Sequence, residues 1–167
     1  MEAEFVARFQ AAALRHGIPA AVGMWGGASG VRCIACHGAA TAGSIFAIAS
    51  MTKAITAVAA LQLVERGALA LDRPAGEWLP DLRELPVLQG IDRAGEPRFG
   101  KRRYSVTVRQ LLAHTAGFGY VWNHPLLRRY GQSVTPFLLH RPGTRWHYGT
   151  NIDHVGRLVE AASEQTL

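Results

Sequence analysis

From residue 2 to residue 16 the apolar positions Phe5, Val6, Phe9, Ala12 and Ala13 recur at helical spacing and stop at Gly17, which predicts an amphipathic helix at the start of the chain. Two β-suited runs come next, residues 18–25 (IPAAVGMW) and 31–36 (VRCIAC). Gly26, Gly27 and Gly30 separate them, so the pair predicts a hairpin whose turn uses positive φ. The strongest element is residues 50–66, SMTKAITAVAALQLVER, apolar on most faces and closed by Gly67 as a C′ residue. A buried helix is predicted there, and a polar group on such a helix needs a reason.

Past Gly67 the periodicity weakens. Residues 68–104 hold four of the eight prolines and predict an irregular stretch of turns and short pieces, of the kind that walls a site. Thr107, with Gln110 three residues on, predicts a capping box opening a short helix that ends near His114, and Gly117 and Gly119 break the pattern. A loop with Pro136, Pro142 and Gly143 comes next. Asn151 then reads as the N-cap of a last helix that runs to residue 167 without a stop signal. There is no internal repeat and no low-complexity segment.

Composition removes several classes. The 167 residues are 49% hydrophobic and 18% charged, which suits one domain of ordinary size, or part of a larger one, and not a disordered or fibrous chain. No apolar run reaches the ~18 residues a bilayer span needs. The opening MEAEFVARFQ has no basic n-region, so a soluble, cytoplasmic protein with no membrane association is expected. A formal charge of +6 raises nucleic-acid binding as a reading. The only tight basic cluster is Lys101, Arg102 and Arg103, which reads as a solvated loop, so no nucleic-acid partner is expected.

Both cysteines lie in Cys33-Ile34-Ala35-Cys36-His37, literally the attachment motif of c-type haem. The run is β-like and no export signal accompanies it, so two reduced thiols in a strand are expected instead. One C-x-x-C is also short of a structural zinc site. The seven histidines form neither H-x-x-x-H nor H-E-x-x-H, and no metal or cofactor is expected.

The chemistry concentrates in Ser50-Met51-Thr52-Lys53, which places a hydroxyl at a helix start and an amine one turn later on the same face. A serine becomes a useful nucleophile when a neighbour takes its proton. A lysine does so when partly neutral, which burial and the positive helix end both favour. Six serines and two lysines yield about 0.07 S-x-x-K matches by chance in a chain of this length.

Residues 45–72, IFAIASMTKAITAVAALQLVERGALALD, resemble the nucleophile helix of the serine hydrolases related to class C β-lactamases and penicillin-binding proteins, whose signature is S-x-x-K. Residues 106–120, VTVRQLLAHTAGFGY, resemble the "LL-x-HT-x-G" segment of that superfamily. Residues 142–160, PGTRWHYGTNIDHVGRLVE, resemble the stretch that carries its catalytic tyrosine. The similarity is closest to family VIII carboxylesterases and covers roughly residues 17 to 167. It implies an α+β fold: an antiparallel sheet flanked by helices, a mostly helical subdomain, and an active site between them.

The resemblance also implies roles. Ser50 is the acylated nucleophile, Lys53 its proton partner, and Tyr148 the relay to the leaving group and the deacylating water. A neighbouring ammonium makes a phenol a usable base near neutral pH. Asn151, Trp146, Trp122 and Tyr120 are the expected substrate contacts, with Phe118 beside them in the acyl pocket. His147, next to Tyr148, is a candidate for tuning it and reads more simply as a loop histidine. The β-lactamase signature is Y-x-N, whereas Tyr148-Gly149-Thr150-Asn151 brings the amide one position late. Members of the superfamily carry a third motif, K-T-G, H-T-G or W-G-G, on a strand far downstream, where it completes the oxyanion hole. Trp25-Gly26-Gly27 spells it but precedes the nucleophile and reads as a hairpin turn.

The expectation is therefore the N-terminal part of a single β-lactamase-like domain, truncated before its C-terminal strands. Residues 1–66 supply helix, hairpin and nucleophile helix, and 67–167 a helical and loop subdomain. Such a chain is expected to be poorly active and aggregation-prone by itself. The expected function is cleavage of a small-molecule carboxylic ester or amide through an acyl-enzyme on Ser50. The alternatives are a β-lactamase or D-alanyl carboxypeptidase of the same fold, and a non-catalytic truncated binding module.

Overall fold

The computed structural model describes residues 1–130 and 137–167. The loop position Pro136 lies outside the described residues. The chain forms two compact units, residues 1–48 and 49–167. That boundary differs from the expected one after Arg66. Ala60 and Leu63, in the helix that follows Ser50, share a core with Leu111, Val155 and Leu158, so this helix belongs to the second unit.

In the first unit, helix α1 (Glu2–Arg15) lies against an antiparallel hairpin of β1 (Ala20–Gly27) and β2 (Gly30–Gly38). Phe9 sits over Gly23 so closely that a Cβ there would be 2.7 Å from the ring, and Phe5 meets Trp25 edge-on. Trp25-Gly26-Gly27 ends β1 at a bulge, next to the turn itself. Met24 and Ile34 pair across the strands and stay exposed, at 54% and 42%. Cys33 and Cys36 are free thiols on β2. Their odd spacing along a strand directs them to opposite faces, which is unsuited to holding one haem.

The second unit opens with a 3-10 turn (Ala49–Met51) that runs into α2 (Thr52–Glu65). Gly67 lies just beyond it at φ +76°, as expected for a helix stop. α2 packs on α5 (Asn151–Ser163), whose Ile152, Val155, Leu158 and Val159 are buried. The expected burial of α2 is only partial. Ile55 and Val58 are 62% and 55% exposed, because a helix apolar all round meets its partner on one side only. α5 stops at Ser163, with Glu164 in the left-handed region, short of the expected run to residue 167.

The stretch expected to be irregular holds a second hairpin, β3 (Leu85–Ile91) and β4 (Pro97–Tyr104). Its turn is closed by Asp92, whose Oδ1 accepts the N–H groups of Ala94 at 2.9 Å and Glu96 at 2.8 Å, with Gly95 at φ +90°. Pro86 and Pro97 masked it, since proline within a run argues against a strand. Thr107 and Gln110 form the reciprocal capping box ahead of α3 (Val108–Leu112). A short α4 (Pro125–Tyr130) occupies a stretch that read as loop. Among the described residues no helix is long and apolar enough to cross a membrane.

Candidate active site

The second unit assembles the site from three segments. Ala49, at φ +45°, turns the chain in a conformation a non-glycine residue adopts only at a cost, and sets Ser50 just before the α2 N-cap position, Met51. Lys53 is one turn on, its Nζ 3.4 Å from Ser50 Oγ. From 98 residues away Tyr148 brings its hydroxyl to Ser50 Oγ at 2.8 Å, donating to it in the neutral state. Once Tyr148 ionises, the same contact runs the other way and Ser50 donates. Ser50 is exposed, so an incoming carbonyl can reach it.

The electrostatics separate the roles. The Tyr148 phenol is held below its ordinary value by the Ser50 hydrogen bond first and by Lys53 as well, against desolvation and the Asp153 carboxylate. Burial pulls the Lys53 ammonium down, but its contacts with Tyr120 and Tyr148 outweigh that and raise it. These contacts favour the charged ammonium, whereas the expectation from the sequence is that burial favours the neutral amine. The group nearest Ser50 Oγ is the Tyr148 hydroxyl at 2.8 Å, with the Lys53 ammonium beside it at 3.4 Å.

The groups that position Tyr148 were mostly missed in the sequence. His114 ends α3 in the left-handed region, φ +55°, and its ring lies on that of Tyr148 with centroids 4.9 Å apart. Desolvation first, then the Lys53 charge, depresses the His114 pKa and so favours its neutral form. Asn123 donates from Nδ2 to the Tyr148 carbonyl at 2.6 Å and accepts the Tyr120 N–H at 3.0 Å. Gly149 lets the chain pass against Phe118-Gly119. A Cβ there would collide with the Phe118 carbonyl and stand 2.5 Å from Gly119 Cα. Gly149→Ala should therefore displace Tyr148 from Ser50 and slow reaction of that serine with a fluorophosphonate about 10²-fold, as intact mass followed over time would show.

Asn151 is the main departure among the expected contacts. It is the first residue of α5, with Thr150 at the N-cap position, and it is fully buried. Its Nδ2 donates to His114 Nδ1 at 3.1 Å and to the carbonyls of His147 and Phe118 at 3.3 and 3.4 Å. Asn151 therefore braces the His114 ring and offers no amide to a substrate. Phe118 is buried against His154 and belongs to the core, not to an acyl pocket. Tyr120, Trp122 and Trp146 do surround Tyr148: Trp122 stacks on Tyr120 at 5.4 Å, and Trp146 on Tyr148 at 6.2 Å. The two indoles are 63% and 65% exposed.

His147 does not touch Tyr148 through its ring. It faces His124 and His140, and all three rings carry a buried nitrogen without a partner. Among the described residues no group of three or more His, Cys, Asp or Glu side chains is placed to hold a metal ion. Desolvation depresses His124, His147 and His154 as well as His114. A histidine depressed on folding takes up its proton more readily when unfolded, so stability is full above the ordinary value of 6.5 and falls as the pH drops below it. The melting temperature should be flat from pH 8 to 7 and decline below about 6.5. A flat curve down to pH 5 would contradict the burial of these rings.

The profile of the family described as "Beta-lactamase" matches residues 6–167. The chain belongs to the beta-lactamase family. Within it, the chain is 42% identical over 130 residues to monacolin J acid methylbutanoyltransferase of Aspergillus terreus, covering 70% of this chain and 32% of that protein. It is 33% identical over 135 residues to lovastatin esterase of Penicillium rubens, covering 72% and 34%. Among solved structures it superposes on simvastatin synthase (LovD) from Aspergillus terreus with a TM-score of 0.80 at 37% identity, over 96% of this chain and 46% of that one. EstCE1, described as a hydrolase with promiscuous acyltransferase activity, shares the fold at a TM-score of 0.74 and 23% identity, over 98% and 48%. The chain thus spans about a third of the length of the curated beta-lactamase-family relatives it matches.

Proposed function

We propose that the protein is an acyl-serine enzyme that cleaves carboxylic esters through a covalent intermediate on Ser50. The observation that carries this reading is the 2.8 Å contact between Tyr148 and Ser50 beside the Lys53 ammonium. Tyr148, as phenolate, takes the proton from Ser50 Oγ as that oxygen attacks the ester carbonyl. The tetrahedral oxyanion forms near the positive end of α2. Tyr148 then gives the proton to the departing alkoxide, leaving an acyl-serine and a neutral alcohol. An incoming hydroxyl repeats the steps in reverse: its proton goes to Tyr148, its oxygen to the acyl carbon, and Ser50 recovers the proton.

A second reading, in which the incoming hydroxyl belongs to an alcohol and the reaction is acyl transfer, is favoured by the relative named as a methylbutanoyltransferase. The exposed indoles of Trp122 and Trp146 add to it, as apolar walls that would hold an acceptor against Tyr148. The β-lactamase and peptidase readings are less supported, because the Asn151 amide is committed internally. The test uses a p-nitrophenyl ester with and without a bulky secondary alcohol. A nitrophenol burst of one per protein, absent from Ser50→Ala, supports the acyl-enzyme. A new ester formed from the alcohol supports transfer. Release that is unaffected by Ser50→Ala would contradict both readings.

A further inference from the structure

Lys53 stands between two phenols. Its Nζ is 5.6 Å from the centre of the Tyr120 ring and 5.5 Å from that of Tyr148, and the two rings are 5.6 Å apart. By distance alone the ammonium favours neither, so the position of Lys53 does not select a base. The difference lies in what each hydroxyl meets. Tyr148 meets Ser50, whereas Tyr120 donates to Asp153 Oδ2 at 3.0 Å. Asp153 sits in the first turn of α5, held by the helix that also carries Asn151.

We propose that Asp153 is a positioning residue that decides which of the two phenols serves as base: by accepting the Tyr120 hydroxyl it keeps Tyr120 protonated and leaves the Lys53 charge to Tyr148. The reason is electrostatic. A phenol donating to a carboxylate is stabilised as the neutral form, because losing the proton would set two anions in hydrogen-bond contact. In keeping with this, Tyr120 is raised, by burial first; the Lys53 hydrogen bond lowers it and the Asp153 contacts oppose Lys53, while Tyr148, which hydrogen-bonds Ser50 instead, is lowered. The other titratable groups within reach of Asp153 are His114 and His154, both held toward the neutral form by desolvation. Two like groups pushed apart in this way is how a site assigns a base. The inference rests on the reading of Tyr148 as the base.

The test is a tyrosinate absorbance titration near 295 nm, which needs no turnover, on the parent, Asp153→Asn, Tyr148→Phe, and Asp153→Asn combined with Tyr120→Phe. Asp153 is exposed, so the amide variant should melt where the parent does. The expected result is one early-titrating tyrosine in the parent, missing in Tyr148→Phe. In Asp153→Asn a second one should move down by about one pH unit or more, and vanish in the double variant. An Asp153→Asn curve that overlays the parent would overturn the proposal, as would a new signal that survives Tyr120→Phe. An early tyrosinate that persists in Tyr148→Phe would instead refute the underlying reading of Tyr148.

Discussion

Tyr148→Phe is expected to slow acylation of Ser50 by about 10²- to 10⁴-fold, the usual worth of a positioned general base. The substitution removes one oxygen and keeps the ring that packs at a tilt against His114 and stacks on Trp146, so the fold and the aromatic wall should persist. Substrate affinity should change little, because the lost contact acts in the proton transfer and not in binding the ester. Raising the pH should not restore the rate, since no phenol remains at the position. A variant with near-parent acylation would move the base elsewhere, with Lys53 the next candidate at 3.4 Å from Ser50 Oγ.

The second large effect is that of Lys53→Met, which keeps the length of the side chain and removes its charge. Without the ammonium the Tyr148 phenol climbs back toward its ordinary value of 10.0. An ammonium at this range favours the phenolate, adding to the Ser50 hydrogen bond, so the phenolate fraction at neutral pH, and the acylation rate with it, should fall by about tenfold or more. The sign is specific: the acid limb of the rate profile moves to higher pH, and the rate recovers as the pH approaches 10. This recovery separates loss of a counter-ion from loss of the base, because Tyr148→Phe shows none. A Lys53→Met profile that is lowered without any shift of its acid limb would show that the lysine only positions Ser50.

The juxtaposition of Ser50 and Lys53 was legible in the sequence because it is local. Ser50 and Lys53 are three residues apart, and helical geometry alone brings them together. Gly67 and the Thr107–Gln110 capping box were legible for the same reason. Contacts made across the chain were not. Nothing in the spacing of residues 114 and 148 announces that an αL turn at His114 lays one ring on the other. The Asn151 amide read as a cap because asparagine before an apolar run usually is one, and its burial comes from how α5 meets the 117–119 turn. Asp153 has the sequence signature of an ordinary first-turn acid, and only the fold brings Tyr120 onto it. The second hairpin was hidden by two prolines that its strands tolerate at an end and at an irregular register.

Every step proposed for this site requires Ser50 to be an activated nucleophile, and the most direct test is the intact mass of the protein after incubation with a fluorophosphonate ester, beside Ser50→Ala. A single phosphonyl adduct on the parent and none on the variant is the predicted result. A well-folded parent that stays unmodified, or an adduct that persists in Ser50→Ala, would contradict it.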